Sequence, residues 1–263
     1  MASFLGRMAK DALSRLTALL TKHVLRLTAL LGYSPPTIDR RSLPVLCFGD
    51  SITEGYHGVW QHPEFSPAAN TNENEISNVR FHPYAVRLGH LLAADAADAA
   101  EGYKAALRYA CVRAYSGWTA EELTPQLNAA LRERPWRAAC VLAGTNDAVL
   151  AGVDAATTLA RIQRLHEACD AAGVPVVVLT PPDADLAHHG LVPAEEAAQR
   201  RTVIAEVADG LIRTSKKSGR ALADVRAALP LCAAFFDDCL HPSPDGYDRM
   251  ADVIHDALHR HGL

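Results

Sequence analysis

The sequence predicts an α/β fold in which a parallel sheet is covered by helices on both faces. Three observations point there. Short apolar runs alternate along most of the chain with segments of helical spacing ten or more residues long. The apolar runs are continuous rather than alternating, as in strands buried on both faces. Alanine, the strongest helix former, fills 47 of the 263 positions.

The first strand is expected at 44–48, followed by a polar stretch at 56–80 that reads as a loop. Residues 83–97 have helical spacing. A strand at 106–114, a helix at 119–134 and a strand at 138–143 follow. Then come a helix at 154–172, a valine-rich strand at 174–179 and a loop at 181–191. A long helix at 193–217, a short strand at 221–225 and a closing helix at 244–261 complete the chain.

Composition narrows the function classes. Lysine and arginine number 26 against 30 acidic residues, a formal charge of −4, so a nucleic-acid-binding role is not expected. Nearly half the chain is apolar, which excludes a wholly disordered protein. No stretch of 18 apolar residues is present, so no membrane-spanning helix is expected. Six cysteines occur with no CxxC pair. Cys47, Cys111 and Cys140 lie within apolar runs, which points to free structural thiols and a reducing, cytoplasmic setting.

Residues 1–36 stand apart as a basic amphipathic helix and linker before a domain spanning 37–263. Residues 1–31 hold five basic residues and one acidic, whereas the rest holds 21 and 29. RLTALL occurs at 15–20 and again at 26–31, about three helical turns apart, so both copies fall on one face. Three roles fit: packing on the domain or on a second copy, an organelle-targeting segment such as a mitochondrial one, or a membrane-surface helix.

In a doubly wound sheet, chemistry sits on the loops at the carboxyl ends of the strands. The first strand runs into Gly49-Asp50-Ser51-Ile52-Thr53-Glu54-Gly55-Tyr56. Ser51 is there either a nucleophile or, with Glu54 three residues on, a capping box. The second strand ends at Ser116-Gly117-Trp118, where glycine permits a turn or a close backbone approach. The third ends at Gly144-Thr145-Asn146-Asp147, where Asn146 could donate to an oxyanion or cap a turn. Near the C-terminus, Asp238 and His241 are three apart, so the carboxylate can reach one ring nitrogen and leave the other free to take a proton. Asp237 or Asp238 could equally cap a turn, and Ser243 before Pro244 suits a helix start. Together these residues supply a nucleophile, a base, an orienting acid and anion donors, the inventory of acyl transfer.

Ser51, Gly117, Asn146 and His241, in that order, make the chain resemble the SGNH, or GDSL, hydrolase superfamily from about residue 44 to the end. His82-Pro83-Tyr84-Ala85 after GDSITEGY resembles its small-ester, isoamyl acetate esterase-like subgroup. The resemblance implies a three-layer α/β/α sandwich around a parallel sheet, flavodoxin-like in class. It implies Ser51 as nucleophile, His241 as base and Asp238 as its orienting acid. The oxyanion donors would be the Ser51 and Gly117 N–H groups and the Asn146 side chain. The implied activity is hydrolysis of small esters, with lysophospholipids, thioesters and acetylated sugars as related substrates, and no cofactor. The G-x-S-x-G elbow of the larger α/β-hydrolase class is missing.

Asp50, Tyr56 and Trp118 are expected to contact substrate, with His57, Val59 and Trp60 beside them. Trp118 is a departure, since many members carry a small or polar residue there. Two competing readings remain. His57 with His62, or His188 with His189, could bind a metal, although neither pair has HExxH spacing and no metal is expected. The domain could instead be a silent scaffold for the basic helix, which would bind a membrane or another protein.

Overall fold

A computed structural model describes residues 40–58, 80–96, 102–188 and 192–263. The expectations for residues 1–36, and for Val59, Trp60, His62 and His189, lie outside the described residues.

Five parallel strands form the sheet: β1 (Val45–Gly49), β4 (Ala110–Ala114), β5 (Ala139–Val141), β6 (Val176–Leu179) and β7 (Ala221–Ala223). Their spatial order is β4-β1-β5-β6-β7. The chain crosses from β1 to β4 on one side, then returns to add β5, β6 and β7 on the other. The reversal falls at β1, so the loops after β1, β4 and β5 flank one crevice.

Side chains along each strand alternate between two cores. Val45 and Cys47 of β1, Cys140 of β5, and Val177 and Leu179 of β6 face one layer. Leu46, Phe48, Val141, Val176 and Val178 face the other. The first layer is covered by α2 (Tyr84–Asp95) and α9 (Pro244–Arg260). On α9 the stripe Tyr247, Met250, Ala251, Ile254, Ala257 and Leu258 has the helical period. The second layer is covered by α4 (Ala120–Glu133), α6 (Ala155–Ala171) and α7 (Ala194–Ser218), through Leu123, Leu127, Ile162, Leu165, Val207 and Leu211. Both sheet faces are therefore buried, which explains the continuous apolar runs.

Local signals set most helix ends. Thr119 begins α4 with a complete capping box to Glu122. Asp154 caps α6, and Ser243 caps α9 with Pro244 in its first turn. The structure differs from expectation at the start of one strand and the end of another. The strand expected from residue 106 begins only at Ala110, because α3 (Tyr103–Ala106) occupies its start. That turn packs on α2, where a Cβ on Gly89 would lie 2.2 Å from the Ala106 carbonyl oxygen. Val225, expected to end a strand, instead starts α8 (Val225–Ala228), since Asp224 accepts from the Ala227 N–H at 3.2 Å. At the ends of the expected loop, β2 (Tyr56–His57) pairs antiparallel with β3 (Arg80–Phe81).

Candidate active site

The site is built at the end of β1. Gly49, its last residue, passes so close to its neighbours that a Cβ would lie 2.3 Å from Thr53 Oγ1 and 2.4 Å from the Leu142 carbonyl oxygen. Only glycine fits there. The chain then turns at once into α1 (Ser51–Glu54). Asp50 is the N-cap, and its Oδ1 accepts from the Ile52 N–H at 3.0 Å. Ser51 is thus not the cap but the first helical residue, and its hydroxyl is free for other work.

That hydroxyl meets the loop before α9. His241 Nε2 lies 3.1 Å from Ser51 Oγ across 190 residues of sequence. His241 Nδ1 lies 3.1 Å from Asp238 Oδ2. The other oxygen, Oδ1, accepts from the backbone N–H groups of Leu240 at 2.8 Å and His241 at 2.6 Å. Asp238 therefore caps its own turn and holds the imidazole at once. Ser51, His241 and Asp238 are 8%, 4% and 0% exposed. Burial by itself raises the Asp238 carboxyl. Its hydrogen bonds to the His241 ring and to the two backbone N–H groups outweigh that and hold it below the ordinary carboxylate range. Asp237 points elsewhere, to His57 Nδ1 at 2.9 Å and the Gly58 N–H at 3.0 Å.

The two loops expected to supply anion donors are joined. Asn146, on α5 (Thr145–Val149), donates through Nδ2 to the Trp118 carbonyl at 3.0 Å. An amide NH₂ has two hydrogens, so one is left for a ligand. Next to it, Asp147 is fully buried; it accepts from the Ala120 N–H at 2.7 Å and from Arg161 at 3.0 Å. The loop after β4 is thereby tied to the loop after β5 at residues 118 and 120. Asp147 escaped the sequence reading, because the partners that reveal its role lie 14 and 27 positions away.

Of the expected substrate contacts, Tyr56 has its ring 6.0 Å from that of His241. The Tyr56 carbonyl accepts from the Tyr247 hydroxyl at 2.5 Å, which anchors this wall to α9. Trp118 stacks on Tyr115 at 5.0 Å and is partly buried against the second core, while its carbonyl accepts from Asn146. His57 is held by Asp237, and His188 Nδ1 lies 3.1 Å from Asp185. Among the described residues no group of three or more His, Cys, Asp or Glu side chains could hold a metal ion.

Asp50, also expected at the substrate, is only 1% exposed. Its Oδ2 has no hydrogen-bond partner among the described residues. Burial pushes its carboxyl up to about 7, against the opposing pull of the Ile52 N–H and the His241 charge. Between about pH 4 and 7 it is then protonated in the folded chain and ionised in the unfolded one. Its stabilisation is complete below about pH 4 and is lost as pH rises through about 7. Three pKa units correspond to about 4 kcal/mol. Asp50→Asn, which keeps an oxygen for Ile52 but cannot ionise, should lose this dependence. The urea midpoint of the wild type should fall relative to the variant between about pH 4 and 8. A constant difference across that range would show that Asp50 is not held in this way.

The chain belongs to the GDSL-like lipase/acylhydrolase family, whose profile matches residues 47–249. Among the solved structures that share its fold are the following three. The aryl esterase of M. smegmatis is 16% identical with a TM-score of 0.59, over 83% of this chain and 99% of that one. A carbohydrate acetylesterase from Sinorhizobium meliloti is 16% identical with a TM-score of 0.57, over 83% and 99%. A GDSL-like lipase from Bacteroides thetaiotaomicron is 14% identical with a TM-score of 0.57, over 90% and 97%. No curated protein matches the sequence. The family is one of esterases and acylhydrolases; the small-ester subgroup is a finer assignment than these similarities reach.

Proposed function

We propose that the protein is a serine esterase that hydrolyses small or short-acyl carboxylic esters through an acyl-enzyme. The observation that carries this reading is the imidazole of His241 lying 3.1 Å from both the Ser51 hydroxyl and the Asp238 carboxylate. In the first step Ser51 Oγ attacks the ester carbonyl carbon and its proton passes to His241 Nε2. Asp238 fixes the ring with Nδ1–H towards itself and stabilises the imidazolium. The tetrahedral oxyanion accepts from the Ser51 N–H, the Gly117 N–H and the second Asn146 hydrogen. The alcohol departs with the proton from Nε2. Water then repeats the sequence on the acyl-enzyme and releases the acid.

The resemblance of His82-Pro83-Tyr84-Ala85 to small-ester hydrolases supports a short acyl group, and the Sinorhizobium neighbour named as an acetylesterase agrees with it. A fluorophosphonate probe tests the reading directly: it should label Ser51 and no other serine. A protein that turns over esters without that label is not a serine esterase of this kind, and one that neither labels nor turns over is a scaffold. Asn146→Ala should keep the fold and lose about 10²–10³ in kcat, because one oxyanion donor disappears. Normal turnover of p-nitrophenyl acetate by that variant would remove Asn146 from the site.

A further inference from the structure

We propose that Glu54 is a positioning residue for the oxyanion site: it holds the Ser116–Gly117 peptide in the orientation that aims the Gly117 N–H at the Ser51 rim. The proposal rests on the reading of Gly117 as an oxyanion donor.

Residues 115–118 form a reverse turn, closed by the Trp118 N–H on the Tyr115 carbonyl at 3.2 Å. Gly117 has φ of 78°. Positive φ at the third residue, with a serine second and a glycine third, is the pattern of a type II turn. Types I and II differ by a flip of the peptide between the second and third residues. Here that peptide carries the Gly117 N–H, so the flip decides whether the donor faces the site or turns away.

Packing does not settle the choice. A Cβ on Gly117 would meet nothing within 4 Å, so the glycine itself is not wedged in place. The Tyr115 N–H on the Gly49 carbonyl at 2.9 Å and the Asn146 amide on the Trp118 carbonyl at 3.0 Å fix the two ends of the turn. The middle peptide is held from the residue before the glycine. Ser116 Oγ donates to Glu54 Oε2 at 2.5 Å. Glu54 sits in the same four-residue helix as Ser51, so the tether and the nucleophile belong to one short rigid element. Ser116 and Glu54 are 62 positions apart, and the bond joins the loop after β4 to the loop after β1.

Kinetics on p-nitrophenyl acetate test the proposal. Glu54→Ala should lower kcat by about 30-fold, less than deletion of a donor, and leave KM within about twofold. Ser116→Ala, at an exposed position, should give a similar loss, and the double variant should be no worse than either alone. Glu54→Gln, whose amide oxygen still accepts, should recover most of the activity. A change confined to KM, additive losses, or unchanged kcat in both single variants would overturn the tether. Fluorophosphonate labelling separates this outcome from failure of the serine reading. Wild type that does not label at Ser51 overturns both. Wild type that labels, with Glu54→Ala and Ser116→Ala at full kcat, overturns the tether alone.

Discussion

Ser51→Ala is expected to lower turnover of p-nitrophenyl acetate by about 10⁶-fold while the protein stays folded. The loss follows from chemistry rather than structure. On the proposed mechanism the hydroxyl becomes nucleophilic because His241 Nε2, 3.1 Å away, takes its proton as the bond to carbon forms. Without the oxygen no acyl-enzyme exists, and only water in the same crevice can attack. The fold should not suffer, because Asp50 rather than Ser51 caps α1 and alanine is at home in a first helical turn. The variant should also stop reacting with a fluorophosphonate. Residual turnover above about 1% of wild type, with folding verified by circular dichroism, would assign the nucleophile elsewhere.

The second large effect is expected for Asp238→Asn, which should cost about 10⁴ in kcat. The substituted oxygen can still accept from the Leu240 and His241 N–H groups, so the turn survives. The new NH₂, however, faces His241 Nδ1 where a carboxylate accepted before. The ring must then carry its hydrogen on Nε2, which faces Ser51 and can no longer take a proton. A thermal midpoint measured beside kcat separates this from a packing defect, since a wrong tautomer lowers turnover with little change in that midpoint. Asp237→Asn is the matched control: Asp237 holds His57 and Gly58, not His241, and its loss should be small. If Asp237→Asn were the inactive variant and Asp238→Asn the active one, the orienting role would move by one position.

Much of the fold was legible along the chain. The helix expected at 154–172 is α6 at Ala155–Ala171, and the one at 244–261 is α9 at Pro244–Arg260. Their periodicity and caps are local signals. Two strand boundaries were misplaced for different reasons, one long-range and one local. Ala106 and Val225 look like strand residues by type, but packing of α3 on α2 at Gly89 and capping by Asp224 turned them into helix. For Ser51 and Glu54 the spacing left a capping box and a catalytic serine open. The structure separates them, because Asp50 takes the cap and Glu54 reaches Ser116 instead. Trp118 reads as a groove residue by its place after Gly117; its packing on Tyr115 and the second core is a feature that no local spacing shows.

The amino-acid order alone determined most of the strands and helices, and which chemical groups stand at the strand ends. Those properties depend on neighbours within about four positions, where periodicity, glycine freedom and capping act. Only the tertiary structure decided the strand order β4-β1-β5-β6-β7 and, with it, which loops share a crevice. It also decided that residue 51 meets residue 241, that 54 meets 116 and that 147 meets 120. Such pairings are set by how two apolar sheet faces are buried against particular helices, a property of the assembled layers that no local stretch of sequence carries.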